Sequence, residues 1–325
     1  MSGINKYYQK DNPNWFRGDI MNSFSILATA KAVPEKIVTN DDLAKIMDTS
    51  DEWISKRTGI KQRRIATKET NTSLSAEVAS QLLKNADVDA NDIDFIIVAT
   101  MSADYQMPST AAAIQGMIGA NNAVAFDISA ACSGFVFATH TMNSLLNLKP
   151  NALGIIIGSE KMSNLINWED RTTAVLFVDG AGGMLVSNQG DGEILSSNLK
   201  NYGDEDKALL AGHLTGSGTF GKSDDDTDEY LHMKGREVFN FATKNVPASI
   251  REAAKQAGIE LSDINHFVLH QANARIIKSV ARKLGENADK FPVNINLYGN
   301  TSAASEPILL SEMMENGLIA KGDII

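Results

Sequence analysis

Three residues of this chain have side chains that together could catalyse a reaction on an acyl group. Cys132 is the only cysteine, in the small-residue stretch Ala-Ala-Cys-Ser-Gly at the predicted start of a helix. His270 closes the apolar run His-Phe-Val-Leu-His, and Asn300 opens the stretch Asn-Thr-Ser-Ala-Ala. A cysteine can carry an acyl group, and histidine and asparagine can donate hydrogen bonds to a developing oxyanion. These residue types predict covalent catalysis.

Each of the three residues also has a structural interpretation. The start of a helix lowers the pKa of a thiol, but most lone cysteines are small buried hydrophobic residues. Asn-Thr-Ser is by itself a common turn and helix cap. A single histidine is more often structural than catalytic, and we assign His140, His213, His232 and His266 to that class.

A cysteine, a histidine and an asparagine suit two kinds of chemistry. In a papain-like hydrolase, histidine is the base and asparagine orients it. Such chains have an early cysteine followed by a tryptophan-bearing motif, often with disulfides, and this sequence has neither. In carbon–carbon bond formation, the cysteine holds an acyl group while the other two residues stabilise an enolate formed by decarboxylation. The sequence favours the second chemistry.

The elements that must position these residues alternate along the chain. Short apolar runs rich in β-branched residues predict buried strands at 24–30, 95–99, 124–128, 154–158 and 174–178. Helical patterns occupy 74–85, 109–119 and 133–148. Alternation of this kind predicts layers of helices on a sheet with largely parallel strands.

Part of this pattern occurs twice. The run that starts at Asp92 resembles the run that starts at Asp263, an offset of 171 positions. A second match places Cys132 opposite Asn300, an offset of 168. Chance similarity between two strand–helix units is the alternative, but two matches in the same order favour duplication. In a duplicated α/β chain, Cys132, Asn300 and His270 would all follow carboxyl ends of strands, where sites form.

Composition excludes several classes of protein. The chain has 325 residues, of which 43% are hydrophobic and 22% charged, as expected for a chain with a large core. A single cysteine excludes internal disulfides and cysteine-rich metal sites. The net charge of −10 argues against nucleic acid as a partner. No apolar run is long enough to enter a membrane and no signal peptide is evident, so we expect a cytoplasmic protein.

We expect three segments along the chain. Residues 1–20 lack periodicity and are predicted to be a tail, followed by an N-terminal half at 21–190 and a C-terminal half at 191–325. The irregular stretch 203–229, rich in glycine and acidic residues, is predicted to be a surface excursion of the kind that often forms a lid.

From about Met21 to its end, the chain resembles the β-ketoacyl-acyl carrier protein synthase III family of the thiolase superfamily. The motifs that carry the resemblance occur in order at 48–60 (DTSDEWISKRTGI), 130–135 (AACSGF), 179–182 (DGAG), 270–273 (HQAN) and 298–302 (YGNTS). The resemblance implies a thiolase-like, internally duplicated five-layer α-β-α-β-α fold and a homodimer. The trio Cys-His-Asn separates this chain from two groups of relatives. Elongating synthases use Cys-His-His, and thiolases need a second cysteine, which this chain lacks.

The resemblance also implies the reaction. Cys132 would accept an acyl group from an acyl-CoA primer, with acetyl-CoA the expected one. His270 and Asn300 would then stabilise the enolate as malonyl-acyl carrier protein loses carbon dioxide, and the condensation would initiate fatty acid synthesis. No metal or redox cofactor is implied, because coenzyme A enters as the thioester substrate. Two alternatives remain, a related synthase that primes a secondary metabolite and a truncated, non-catalytic homologue that binds acyl-CoA.

The resemblance assigns binding roles to further residues. Trp53 and Arg171 would sandwich the coenzyme A adenine, and Arg57 would contact its phosphate end. The pantetheine tunnel would be lined by Gly235, Phe239, Ala272 and Asn273. A basic patch for the acidic acyl carrier protein would consist of Arg275, Lys278 and Arg282, whose spacing of 3 and 4 puts them on one helix face. Met107 would reach across the dimer interface to bound the primer pocket.

The family continues beyond the point that corresponds to Ile325, with a buried strand, a glycine-rich turn and a final strand. That turn supplies a backbone N–H to the oxyanion hole, and its loss is expected to cost ~3–4 kcal/mol of transition-state stabilisation. We therefore expect the C-terminal half to be truncated and, if the molecule ends at Ile325, its activity to be impaired.

Overall fold

The computed structural model describes residues 23–203, 207–212 and 230–325. The predicted tail at 1–20 and most of the predicted lid at 203–229 lie outside the described residues. The strands are β1 (Ser25–Ala32), β2 (Ile37–Thr39), β3 (Gln62–Arg64), β4 (Phe95–Ala99), β5 (Val124–Ile128), β6 (Leu153–Lys161), β7 (Asp179–Ser187), β8 (Leu209–Leu210) and β9 (His232–Met233). The helices are α1 (Asn40–Leu43), α2 (Asp51–Thr58), α3 (Asn71–Ala86), α4 (Thr110–Ile118), α5 (Gly134–Leu146), α6 (Arg171–Ala174), α7 (Gly235–Ala257), α8 (Ala274–Leu284), α9 (Ile295–Tyr298) and α10 (Ser305–Glu315).

A five-stranded mixed sheet in the order β1-β7-β6-β4-β5 forms the centre of the described chain. Strand β4 is parallel to both β5 and β6, whereas β7 is antiparallel to β6 and β1. Helices α3 and α4 cover one face of the sheet, and α5 and α10 cover the other. The prediction of helices on a sheet is confirmed, but the two antiparallel pairings make the sheet mixed.

Helix α10 and the turn before it pack closely against the backbone of the central sheet. A Cβ added to Gly182 of β7 would lie 2.6 Å from the Ile308 nitrogen in α10. A Cβ added to Gly158 of β6 would lie 2.1 Å from the Ala303 carbonyl oxygen. Only glycine allows this distance. The turn before α10 therefore lies directly on the carboxyl half of β6.

The predicted strand at 174–178 is wrong. Helix α6 ends at Ala174, and residues 175–178 then lie outside the five-stranded sheet, which the chain enters at Asp179. The Asn300 N–H donates to the Leu176 carbonyl and the Val178 N–H donates to the Asn300 carbonyl, each at 3.0 Å. The run is apolar because it is buried there, and its backbone holds Asn300. Strand β7 completes the sheet instead. It was not predicted because it contains three glycines, and glycine is uncommon in strands.

Beyond α5 and α10, the extended segment 264–270 separates these helices from α7 and α8. Val268 packs toward α5 and α10, while Phe267 and Leu269 pack toward α7 and α8, as alternate side chains of a strand would. Its backbone forms no regular ladder, however, because the Phe267 N–H donates to the carbonyl of Lys290, the last residue of a 3-10 helix at 288–290. The strand predicted to end at His270 is therefore an extended segment.

Several landmarks of the described chain recur 171 residues later, although α4 and α8 do not follow this offset. The ends of α3 and α7 and the starts of α5 and α10 are separated by this number of residues. So are Ala131 and Ser302, which have left-handed φ angles of 47° and 49°. The structural counterpart of Cys132 is therefore Ala303. The sequence alignment at an offset of 168 matched the correct pair of turns. Its pairing of Cys132 with Asn300 was wrong by three residues.

None of the helices in the described ranges is both long enough and apolar enough to cross a membrane.

Candidate active site

Cys132 lies in the 3-10 turn Ala131–Ser133 between β5 and α5. The Ser302 Oγ lies 3.6 Å from its sulfur and 3.1 Å from Glu160 Oε1, and its single proton can serve only one of these acceptors at a time. Burial raises the pKa of the Cys132 thiol to about 11; the Ser302 bond lowers this pKa, and the nearby Glu160 carboxylate raises it further. The predicted lowering by the helix start is thus reversed, because desolvation outweighs the effect of the nearby backbone N–H groups. The resting thiol is neutral.

Ser302 contacts all three residues predicted to be catalytic. Its hydroxyl oxygen lies beside the Cys132 sulfur, and its N–H donates to the Asn300 Oδ1 at 2.9 Å. Its backbone also forms a hydrogen bond with His270 that favours the protonated imidazole. Since Oδ1 of Asn300 accepts from Ser302, the Nδ2 group of Asn300 is left as a donor. The structure therefore brings the three predicted residues together around one residue that sequence reasoning did not single out.

His270 lies between this site and a buried carboxyl group. Its Nδ1 is 2.6 Å from the Ser305 hydroxyl and 4.0 Å from the Glu306 carboxylate. Burial lowers the pKa of His270, while the nearby Glu306 charge raises it. Burial also raises the pKa of Glu306 to about 7. At neutral pH the imidazole is therefore uncharged and able to accept a proton.

Glu160 is a second buried carboxyl group beside Cys132. Its Oε1 accepts the Ser302 hydroxyl at 3.1 Å, and its Oε2 accepts the Met101 N–H at 3.2 Å. Burial raises the pKa of Glu160 to about 7. Sequence reasoning missed Glu160, although a signal was present. It lies two residues beyond the predicted strand at 154–158, where sites in α/β sheets form.

An apolar pocket opens beside the Cys132 sulfur. Its lining consists of Met101, Ala131, Cys132, Met162, Phe177, Leu209, Leu210, Ala211, Leu231 and Ser302. Sequence reasoning named only Met107 for this role, and Met107 is 85% exposed and does not line the pocket of its own chain. The lining comes from seven separate stretches of chain, so no local motif could have predicted it.

The residues predicted to bind adenine and phosphate form one cluster. Trp53 lies in the first turn of α2, and the guanidinium carbons of Arg57 and Arg171 are 4.6 and 5.2 Å from its ring centroid. Arg171 also forms an ion pair with Asp48 at 3.1 Å. A purine between two planes requires ~7 Å, twice a van der Waals contact. Arg171 must therefore move outward before an adenine can enter.

The residues predicted for the pantetheine tunnel lie near the starts of α7 and α8. Gly235 opens α7, and the Phe239 ring is 5.8 Å from the Arg275 guanidinium carbon. Asn273 caps α8 by accepting the Arg275 N–H at 2.8 Å, and its Nδ2 donates to the Arg57 carbonyl at 3.0 Å. Asn273 therefore joins α8 to the end of α2. Ala272 is partly buried beside it.

Helix α8 presents the predicted basic face to solvent. Arg275, Lys278 and Arg282 are all exposed. Ile277, Val280, Ala281 and Leu284 form the opposite face and are buried. The spacing of 3 and 4 therefore places the three cations together, as predicted.

Among the residues that the structure describes, no group of three or more histidine, cysteine or acidic side chains could hold a metal ion.

Comparisons with known proteins agree with one another. The family model described as 3-Oxoacyl-[acyl-carrier-protein (ACP)] synthase III matches residues 126–203, and its C-terminal model matches 254–325. The β-ketoacyl-[acyl-carrier-protein] synthase III of Lactobacillus helveticus is 49% identical over 304 residues, 93% of each chain. That of Streptococcus gordonii is 48% identical over 90% of each chain.

A solved structure shows the same fold. The 3-oxoacyl-[acyl-carrier-protein] synthase III of Aquifex aeolicus superposes with a TM-score of 0.86 at 40% identity, covering 93% of this chain and 94% of its own. The mixed α/β architecture described above is therefore that of a thiolase-like condensing enzyme.

Proposed function

The chain belongs to the β-ketoacyl-[acyl-carrier-protein] synthase III family, and on that premise we propose that it condenses an acyl-CoA primer with malonyl-acyl carrier protein. The products are 3-oxoacyl-acyl carrier protein, carbon dioxide and free coenzyme A, and acetyl-CoA is the expected primer. The observation that carries the proposal is the contact of Ser302 with Cys132, Asn300 and His270 beside an apolar pocket. The reaction initiates fatty acid synthesis.

In the first half-reaction, Cys132 becomes acylated. Its neutral thiol needs a base, and the uncharged imidazole of His270 supplies one. The sulfur attacks the thioester carbonyl as the proton moves to His270, and coenzyme A leaves as a thiolate that takes the proton from His270. The acyl chain of the primer enters the apolar pocket, where Met101 and Met162 can adapt to its shape.

In the second half-reaction, malonyl-acyl carrier protein occupies the same site. His270 and the Nδ2 group of Asn300 donate hydrogen bonds to the thioester oxygen, which becomes an enolate oxygen as carbon dioxide leaves. The carbanion attacks the acyl carbonyl on Cys132, and the cysteine thiolate leaves and is protonated. Asn300 is only 4% exposed, so water competes little for its hydrogen bond.

Coenzyme A enters this scheme as part of the primer substrate. We assign its adenine to the space between Trp53 and a displaced Arg171, and its phosphates to Arg57. The supporting observation is that both guanidinium groups already lie over the Trp53 ring. We assign the pantetheine chain to the region near the starts of α7 and α8 that holds Gly235, Phe239, Ala272 and Asn273.

Replacing Trp53 by alanine is expected to raise the KM for acetyl-CoA by about 10-fold, because base–aromatic stacking contributes ~1–3 kcal/mol. The kcat for the condensation should change little, since Trp53 lies away from the reacting atoms. Initial rates at varied acetyl-CoA and saturating malonyl-acyl carrier protein measure both constants. Trp168, which packs against the same hydrophobic cluster, is the control, and Trp168→Phe should leave the KM unchanged. An unchanged KM in Trp53→Ala would contradict the assignment.

The acyl carrier protein is assigned to the basic face of α8. Arg275, Lys278 and Arg282 present three exposed cations on a chain with a net charge of −10. A local positive field of this kind would steer an acidic partner to the site.

We also propose that the protein acts as a cytoplasmic homodimer built from chains with an N-terminal half at 21–190 and a C-terminal half at 191–325. Strand β5 is an edge strand of the sheet, and Val124 on it and Met107 near it are 57% and 85% exposed. Large apolar side chains beside an unpaired strand edge favour association. In a dimer, Met107 would bound the primer pocket of the partner subunit.

The proposed reaction can be tested with purified full-length protein, acetyl-CoA and malonyl-acyl carrier protein. We expect 3-oxobutanoyl-acyl carrier protein to form, detected by intact mass of the carrier protein, together with an acetyl adduct on the enzyme. An adduct from other primers but not from acetyl-CoA would indicate a synthase of another pathway. Binding of acetyl-CoA without any adduct would contradict the enzymatic function.

A further inference from the structure

A hydroxyl group connects His270 to a buried carboxyl group that the proposed mechanism does not use. The Ser305 Oγ lies 2.6 Å from Nδ1 of His270 and 3.0 Å from Oε2 of Glu306, and it accepts the Gln271 N–H at 3.1 Å. Ser305 is 2% exposed and Glu306 is 8% exposed. Water therefore does not compete for these bonds. Whether Ser305 donates to or accepts from one partner then determines whether it donates to or accepts from the others.

The ionised state of Glu306 allows one arrangement of protons. A serine hydroxyl donates one hydrogen bond and accepts two, and a carboxylate can only accept. Ser305 must then donate to Glu306 and accept from both the Gln271 N–H and the Nδ1–H of His270. The neutral imidazole carries its proton on Nδ1, so Nε2 presents a lone pair and is a proton acceptor.

The protonated state of Glu306 allows the reverse arrangement. The carboxylic acid can donate to Ser305, which still accepts from the Gln271 N–H and now donates to Nδ1 of His270. The neutral imidazole carries its proton on Nε2, which becomes a hydrogen-bond donor. Both arrangements satisfy the Gln271 N–H, the Ser305 hydroxyl and Nδ1 of His270, and they differ by one proton.

We propose that Glu306, acting through Ser305, is a positioning residue that decides which nitrogen of His270 carries the proton in each half-reaction. The inference rests on the proposed function, which needs both forms of the imidazole. Acylation needs a lone pair on Nε2 to accept the Cys132 proton, and Glu306 is then ionised. Decarboxylation needs a proton on Nε2 to donate to the enolate oxygen, and Glu306 is then protonated.

The protons balance over one turnover. The Cys132 proton moves to Nε2 of His270 and leaves with the coenzyme A thiolate, which restores the ionised arrangement. One proton from solvent then enters the cluster, so that Glu306 and Nε2 both carry protons during decarboxylation. When the carbanion displaces the Cys132 sulfur, Nε2 gives its proton to the thiolate, and the proton of Glu306 shifts through Ser305 to leave Nδ1 protonated. The net reaction consumes one proton, as decarboxylation of a malonyl carboxylate requires.

Because the cluster is buried, Glu306 gains or loses its proton near neutral pH. Burial raises the pKa of Glu306 to about 7, and the charge of His270 lowers it. Two other titratable groups face the cluster. Burial holds the pKa of the Cys132 thiol near 11, outside the range, whereas it raises the pKa of Glu160, which reaches the site through Ser302, to about 7. An experiment must therefore separate Glu306 from Glu160.

The two half-reactions should depend on pH in opposite ways. Acylation by acetyl-CoA alone can be followed by intact mass, and carbon dioxide release from malonyl-acyl carrier protein can be followed on pre-acetylated protein. We expect the acylation rate to fall by about 10-fold for each pH unit below the midpoint of the coupled cluster and to level off above it. The decarboxylation rate should fall by about 10-fold for each pH unit above the midpoint and level off below it. In Glu306→Gln, which cannot ionise, the inflection near neutral pH should disappear from both profiles.

Three further variants make this test decisive. Ser305→Ala breaks the connection without changing charge, and it should remove the inflection as Glu306→Gln does. Glu315→Gln removes an exposed carboxylate from the same helix, where it pairs with Lys31, and should leave both profiles unchanged. Glu160→Gln should shift rates but keep the opposite slopes.

The proposal fails if the inflections persist in Glu306→Gln and Ser305→Ala. It also fails if all rates fall by a common factor with no change of profile, which is the result expected of a structural role. Failure of the proposed function is seen separately, as absence of an acetyl adduct on the unmodified protein at every pH, and would overturn both.

Discussion

Replacing Cys132 by alanine is expected to abolish the acetyl adduct and to lower the condensation rate by more than about 10³-fold, because no other side chain can carry the acyl group. The chain has a single cysteine, so a thioester adduct can form at no other position. Sulfur removal leaves Ser302, Asn300 and His270 in place. Release of carbon dioxide from malonyl-acyl carrier protein should therefore continue.

Intact mass spectrometry after incubation with acetyl-CoA measures the adduct, and carbon dioxide release measures the retained half-reaction. Ser133→Ala is the matched control, since Ser133 is exposed in the same turn and should keep both activities. An adduct of equal yield in Cys132→Ala would show that acylation occurs elsewhere. Loss of both half-reactions would show that the variant disrupts the site rather than the nucleophile alone.

Replacing Asn300 by aspartate is expected to produce the reciprocal defect. An aspartate oxygen can still accept the Ser302 N–H, which Oδ1 of Asn300 accepts at 2.9 Å. The backbone bonds of Asn300 to the chain at Leu176 and Val178 are unaffected by the change. What is lost is the Nδ2 donor, and a carboxylate would in addition repel the enolate. Decarboxylation should fall by at least ~10²–10³-fold, the range measured for one oxyanion-hole donor.

Acylation of Cys132 should proceed in Asn300→Asp, since that half-reaction uses His270 as its base. Rapid mixing with acetyl-CoA and quenching at intervals gives the acylation rate, and malonyl-acyl carrier protein then gives the decarboxylation rate on the same sample. Asn296→Asp, which makes the same change at an exposed asparagine of α9, is the control. The assignment would be wrong if decarboxylation survived in Asn300→Asp while acylation was lost.

The two variants together separate the nucleophile from the oxyanion donors. Cys132→Ala should retain decarboxylation without acylation, and Asn300→Asp should retain acylation without decarboxylation. A binding protein without catalysis would show neither half-reaction in any form of the chain.

Local patterns were sufficient to predict most elements that position the site. Strands β4, β5 and β6 and helices α3, α4 and α5 were each predicted within a few residues, because their periodicity and caps are encoded in adjacent residues. Strand β7 was missed because its glycines are selected by close packing against Ile308 of α10, a contact between residues that are far apart in sequence. The error at 174–178 has the same origin, since burial made that run apolar without placing it in a sheet.

The sequence by itself determined which residue types could carry the reaction. Cys132, His270 and Asn300 each lie in a short motif, and a motif can be recognised without knowledge of its surroundings. It also determined the exposed cationic face of α8, because the spacing of residues on one helix is a local property.

Only the tertiary structure decided the electrostatics of the site. Ser302 and Glu160 are 142 positions apart, yet their hydrogen bond orients the hydroxyl beside Cys132. The thiol pKa was predicted to be low from the local helix start and is instead raised to about 11, because burial by distant segments dominates it. Desolvation sums over all neighbours in space, whatever their position in the chain. For that reason Cys132 could be proposed as the nucleophile from the sequence, but the raised pKa of its thiol and the hydrogen bonds that connect Glu306, Ser305 and His270 could not be predicted.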